Sequence, residues 1–249
     1  MLRKFRKMMH PFILKKMPER RNFKLEIINE HPYISQNGIY VMNHSSKHDA
    51  PIACEAIKKH FYVLVGKQRL ELIDKAFFWL NGIVYIDRKD KQSKKRGFCK
   101  MLEILKAGDN ILTYPEGTWN MTPSKPLIPL SWGIIELAQK AEVPIIPLIA
   151  EYHPDSCYVK FGEPIYVDTE MSKKEGIEQV EDALATLKWD IWELFPVAKR
   201  TEQMKEEFES MIQKRIDDYP KLNLEYEKSV IRKREDDPEN VLILRNNII

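Results

Sequence analysis

His44 and Asp49 lie five residues apart in the run Asn43-His44-Ser45-Ser46-Lys47-His48-Asp49, which follows an apolar stretch and precedes Ala50-Pro51. Pro51 favours the first turn of a helix, which places Asp49 around its N-cap and His44 in the loop before it. On one continuous helix a five-residue step would turn the two side chains about 140° apart, and they would not meet. A loop removes that constraint. Asp49 can then accept from one imidazole nitrogen and leave the other to take a proton, as an orienting carboxylate does in a catalytic triad. The plainer reading is a satisfied loop histidine beside an N-cap. A third has His44, His48 and Asp49 as metal ligands, against which Pro51 delays the helix that would align the two histidines.

No G-x-S-x-G elbow occurs, and none of the three cysteines, Cys54, Cys99 and Cys157, lies near the pair. A His-Asp pair without a protein nucleophile suits a reaction whose nucleophile, an acceptor hydroxyl, arrives with the substrate. An alcohol near the roughly 15.7 of water and an imidazole near roughly 6.5 are separated by about nine units, or about 12 kcal/mol. A free alkoxide is therefore too costly. Proton removal must accompany attack on an activated carbonyl such as a thioester, a general-base contribution of typically 10² to 10⁴-fold.

Such residues need a scaffold, and the chain alternates β-rich runs with helical ones. Residues 38–43, 61–65, 82–86, 110–114, 143–149 and 157–161 read as strands. Phe98, Met101, Leu102 and Leu105 follow helical spacing up to Gly108, and Ile134, Ile135, Leu137 and Ala138 mark a second helix. The pattern predicts an α/β fold, a mostly parallel mixed sheet covered by helices, with the active residues at the carboxyl ends of its strands. Ile177, Val180, Leu184, Leu187, Ile191 and Leu194 continue a helix stripe to Pro196; Met204, Phe208, Met211 and Ile216 sketch another. The expected organisation is a basic amphipathic segment over 1–37, an α/β core over 38–168, C-terminal helices packing on it over 169–220, and a charged tail over 221–249.

The 249 residues suffice for a sizeable core, and 43% hydrophobic with 31% charged residues marks a globular chain. Three widely spaced cysteines suggest neither a disulfide framework nor a zinc site, and fit a reducing compartment. The longest apolar run, 143–150, is too short to span a bilayer, and no signal-peptide pattern opens the chain. A net charge of +3 does not call for nucleic acid. The positive excess is concentrated before residue 25, where Arg3, Lys4, Arg6, Lys7, Lys15, Lys16, Arg20, Arg21 and Lys24 face the single acid Glu19. Leu2, Phe5, Met9, Phe12 and Ile13 recur among them near the helical repeat, although Pro11 should break or kink such a helix. The segment reads either as an interfacial element on an anionic membrane surface or as a terminus packing on its own domain.

Three further blocks follow His44 and Asp49: Gly82-Ile83-Val84-Tyr85-Ile86-Asp87-Arg88, Tyr114-Pro115-Glu116-Gly117-Thr118 and Val143-Pro144-Ile145-Ile146-Pro147. Together, in this order, they resemble the motifs of the glycerolipid acyltransferase family, the glycerophosphate and lysophosphatidate acyltransferases, over about residues 38–164. The resemblance implies acyl transfer, without a cofactor or metal, from acyl-CoA or acyl-carrier protein to a hydroxyl of a lipid precursor. The enzyme would sit peripherally on the inner, cytoplasmic face of the membrane. His44 would be the general base and Asp49 its orienter. Arg88 would meet an acceptor phosphate, where its planar fork suits bidentate contact, with Asp87 positioning it. Glu116, Gly117, Thr118 and Trp119 would shape the acceptor site. Lys94, Lys95 and Arg96 would meet donor phosphates or an acidic carrier, or form a solvated helix start.

One position departs from the family. Where its third block continues with Arg after Gly-Thr, this chain has Trp119 and then Asn120. Either Arg88 with a lysine such as Lys125 suffices for phosphate, or the acceptor is a non-phosphate compound such as a glycan. Trp119 would then offer a stacking face, or else be a core residue. A non-catalytic membrane-surface binding protein is the reading from another class.

Overall fold

The computed structural model of the chain describes residues 2–16, 22–32, 34–66, 72–88, 90–121, 125–196 and 201–218. Seven strands form one sheet: β1 (Lys24–Ile27), β2 (Ile39–Met42), β3 (Phe61–Gly66), β4 (Ile83–Ile86), β5 (Asn110–Thr113), β6 (Ile145–Tyr152) and β7 (Ser156–Phe161). Their spatial order is β1-β7-β6-β2-β5-β3-β4. Every pairing is parallel except the β6–β7 hairpin, so β1 and β7 run against the other five. This is the mostly parallel mixed sheet expected from the apolar runs.

Helices α1 (Leu2–Lys16), α2 (Asp49–Ile57), α3 (Leu72–Asn81), α4 (Lys91–Lys106), α5 (Gly133–Ala141), α6 (Lys173–Trp192) and α7 (Glu202–Asp218) complete the described elements. Alternation along β2 separates two cores. Tyr40 and Met42 face the layer containing α2, Phe77 of α3 and Ile13 of α1; Ile39 and Val41 face the layer of α4, α5 and α6. A strand buried on both faces must be apolar at every position, which is why β2 reads as an unbroken run.

Four local outcomes differ from the sequence reading. β1 lies within the basic N-terminal segment and was not among the expected strands, because KLEI has no apolar run. It is an edge strand with only its two central residues partly covered, and its pairing comes from Ser156–Val159, far along the chain. α3 carries none of the signals singled out above. Pro11 does not end α1. Its ring removes one helical hydrogen bond, but the same helix buries His10 and Ile13 and sends Arg3 and Lys7 to the buried carboxylate of Asp109. Tertiary contacts outweigh the local penalty.

The fourth concerns the C-terminal helices. α6 packs on the sheet, burying Ile177, Val180, Leu184, Leu187 and Ile191, each contributing roughly 1.5–3 kcal/mol. On α7, expected to pack on the core, Met204, Phe208 and Ile216 are exposed, and Lys47 Nζ donates to Asp218 Oδ1 at 2.7 Å. The charged tail expected over 221–249 lies outside the described residues.

Gly82 turns the chain from α3 into β4 at φ +103°, and a Cβ there would lie 2.5 Å from the Tyr62 ring. Gly82→Ala should therefore combine backbone strain with overpacking and lower unfolding stability by about 2 kcal/mol or more. Urea denaturation of the two proteins checks this, and an unchanged midpoint would contradict the packing described.

Candidate functional site

Three segments that could do chemistry follow the carboxyl ends of parallel strands, His44 after β2, Arg88 after β4 and the loop 114–120 after β5. β2 sits between β5 and β6, so the loop after it lies beside the loop after β5 and the end of β6. Asn43 fixes where that strand stops. Its side-chain amide exchanges two hydrogen bonds with the Ala150 backbone, donating Nδ2 to the carbonyl at 2.9 Å and accepting the amide at 2.9 Å.

From there the chain folds back on Asp49. The His44 ring meets Asp49 Oδ2 through Nδ1 at 2.7 Å. The same oxygen accepts the backbone amides of Ser45 and Ser46 at 2.8 and 3.0 Å, while Oδ1 accepts the Tyr152 hydroxyl at 2.7 Å. Asp49 is 1% exposed. It opens α2 as the first helical residue and sends its carboxylate back over the preceding loop, rather than capping the helix from before it. A carboxylate oxygen accepts, so Nδ1 carries the hydrogen and Nε2 keeps its lone pair. The His44 side chain is 24% exposed.

The ring is also held from the sides. Tyr114 stacks on it with centroids 4.3 Å apart and planes 19° apart, and Trp119 meets it edge-on at 5.9 Å. The backbone of residue 44 is clamped by Glu116, which accepts the His44 amide at 2.7 Å on Oε1 and the Ile128 amide at 3.0 Å on Oε2. The Asn120 amide donates to the His44 carbonyl at 2.6 Å. Gly117, at φ +69°, makes the tight turn that brings this loop round.

Glu116 is 0% exposed, with one oxygen on the His44 amide and the other on the Ile128 amide. Thr118 is buried as well, and Trp119 is 7% exposed with its indole edge-on to the imidazole. The Arg88 guanidinium lies beside Gly66 at the end of β3, where a Cβ would come 2.8 Å from Nη2. Lys94, Lys95 and Arg96 are exposed on the first turns of α4, and Lys125 is exposed beyond the loop. Among the described residues no group of three His, Cys, Asp or Glu could hold a metal ion.

Sequence reasoning missed Tyr152, Asn43 and the Ile128 amide. Tyr152 ends β6, and the rule that placed His44 at a strand's carboxyl end also points to it. Nothing in the sequence signals Ile128, whose part is played by its backbone alone.

Burial pushes the Glu116 carboxyl up to about 7 from 4.5, against the pull of its two amides. Between those values the folded chain holds a proton that the unfolded chain has released. Stability from this group is therefore complete below about pH 4.5 and declines as pH rises toward 7, by on the order of 3 kcal/mol. In Glu116→Gln the decline should vanish. The amide's NH₂ would also face a backbone N–H, costing about 1–3 kcal/mol at low pH. Denaturant midpoints of both proteins from pH 4.5 to 7.5 check this, and parallel pH profiles would contradict it.

The described helices include none long and apolar enough to cross a membrane. Residues 22–151, just over half the chain, match the family model described as Acyltransferase. An uncharacterized acyltransferase of Schizosaccharomyces pombe is 28% identical over 172 residues, 64% of this chain and 59% of that protein. The 1-acyl-sn-glycerol-3-phosphate acyltransferase alpha of Ovis aries is 31% identical over 124 residues, 49% of this chain and 42% of that protein. The chain thus spans less than two thirds of these relatives. The crystal structure of the 1-acyl-sn-glycerophosphate (LPA) acyltransferase PlsC from Thermotoga maritima shares the fold, with a TM-score of 0.63, 19% identity, and 78% of this chain and 83% of that one covered. With a family match reaching from the first strand to the end of β6, and a sheet whose carboxyl end gathers the matched His-Asp pair, this chain belongs to the acyltransferase family.

Proposed function

We propose that the chain is an O-acyltransferase that moves a fatty acyl group from a thioester, acyl-CoA or acyl-carrier protein, to a hydroxyl of a lysophospholipid or glycerophosphate. The observation that carries this reading is the 2.7 Å bond from His44 Nδ1 to a buried carboxylate, which leaves Nε2 as the accessible base. The acceptor oxygen attacks the thioester carbonyl carbon as its proton passes to Nε2. The tetrahedral intermediate collapses, the carbon–sulfur bond breaks, and the departing thiolate takes the proton from the imidazolium. Arg88 supplies the cation for an acceptor phosphate. The relatives named for 1-acylglycerol-3-phosphate support that class, and the burial of Trp119 speaks against a sugar stacked on its face.

The N-terminal helix supports action at a lipid surface. α1 buries His10 and Ile13 inward and exposes Leu2, Phe5, Met8 and Phe12 outward; Trp79 of α3, exposed, lies 6.4 Å from Phe5. Lys4 and Lys15 are exposed on the same helix, whereas Arg3 and Lys7 pair with Asp109 and Arg6 donates to the Trp79 carbonyl at 2.9 Å. Apolar side chains entering the headgroup boundary and cations meeting anionic lipid, at about 1 kcal/mol each, make a reversible peripheral contact.

His44→Ala should lower turnover about 10² to 10⁴-fold, and Asp49→Asn by a comparable factor, because an amide can present the wrong partner to Nδ1. Both are measured by thiol release and product mass in the presence of acceptor; activity retained in His44→Ala would end the proposal. Sedimentation with vesicles containing anionic lipid checks the surface contact. Binding should fall with rising salt and in the Met8→Glu, Phe12→Glu double variant, which leaves the buried side of α1 in place. Unaltered sedimentation would remove α1 from the membrane contact.

A further inference from the structure

Tyr152 is joined to the catalytic pair by one bond that the reaction above does not use. Its hydroxyl donates to Asp49 Oδ1 at 2.7 Å, on the opposite side of the carboxylate from the oxygen that takes His44 Nδ1 and two backbone amides. Among the described residues no other hydrogen bond reaches Oδ1. The tyrosine itself is anchored, since it closes β6 opposite Cys157 of β7 and its ring stands edge-on to Phe23 at 5.7 Å. A carboxylate pinned on both oxygens cannot swivel about its terminal torsion. One held only through Oδ2 can, because that torsion is soft, and each swivel weakens the bond that fixes the imidazole hydrogen.

We propose that Tyr152 is a positioning residue for acyl transfer, its hydroxyl holding Asp49 in the orientation that keeps His44 in the Nδ1–H form with Nε2 facing the acceptor. This rests on the proposed reaction for its functional meaning, while the hydrogen-bond relay stands on geometry alone. The other groups around the pair do not substitute for the hydroxyl. Tyr114 stacks on the imidazole face, Glu116 is occupied by the backbone amides of residues 44 and 128, and His48 bonds through its backbone to Ser46.

The test compares the full chain, ¹⁵N-labelled at histidine, with its Tyr152→Phe variant, which keeps the ring against Phe23. The His44 signals are assigned by their absence in His44→Ala. The wild type should show a single tautomer with hydrogen on Nδ1, and Tyr152→Phe a measurable fraction with hydrogen on Nε2. With acyl thioester and acceptor, kcat should fall about tenfold while KM stays within about twofold, the loss expected for one charge-assisted bond. In an Asp49→Asn background the tyrosine substitution should cost nothing further. An unaltered tautomer in Tyr152→Phe overturns the proposal whatever happens to turnover. If the wild type transfers no acyl group to any hydroxyl, the reading as a transferase falls, and the tautomer measurement still decides the part played by Tyr152.

Discussion

A carboxylate taken almost wholly out of water sets the terms for the rest of this site. Asp49 is tolerable at 1% exposure because four donors from two separate stretches of chain converge on it: the His44 ring, the amides of Ser45 and Ser46, and the Tyr152 hydroxyl. Each missing donor would leave a buried charged acceptor short of a partner, at a cost of about 1–3 kcal/mol or more. The loop between β2 and α2 must therefore close in one way, and the imidazole is placed by that closure.

The parallel sheet makes the convergence possible. Loops that leave the same end of neighbouring strands meet above it, although 72 residues separate His44 from Glu116 and 103 separate Asp49 from Tyr152. Support comes from two directions. Asp49 and Tyr152 hold the ring through its nitrogen, whereas Glu116 and Asn120 hold the backbone that carries it. Loosening the second set would move the first without touching a reacting atom, the usual way a supporting contact acts on catalysis.

Much of this was legible in the sequence, and the boundary of what was not has a physical shape. Central strands such as β2 announce themselves because burial on both faces demands unbroken apolar runs, and His44 with Asp49 could be singled out because a short loop limits where each can point. β1 escaped because an edge strand is recruited by its partner, not by its own composition. Pro11 misled because helix propensity is local, whereas the seat of His10 and Ile13 beneath α1 is not. Glu116 and Trp119 lie beside the pair, bonded to the His44 amide and edge-on to its ring. Side-chain direction depends on neighbours such as the Ile128 amide that no spacing rule reveals. Two statements rest on more than this chain's residues, membership of the acyltransferase family and the shared fold.

In the proposed reaction no protein atom carries the acyl group, since the incoming hydroxyl is the nucleophile and His44 only moves its proton. Intact-protein mass spectrometry after incubation with acyl thioester, first without and then with a hydroxyl acceptor, tests it most directly. The proposed reaction leaves the protein mass unchanged in both cases and consumes thioester only when acceptor is present. A protein heavier by one acyl group, formed without acceptor and discharged when acceptor is added, would contradict it.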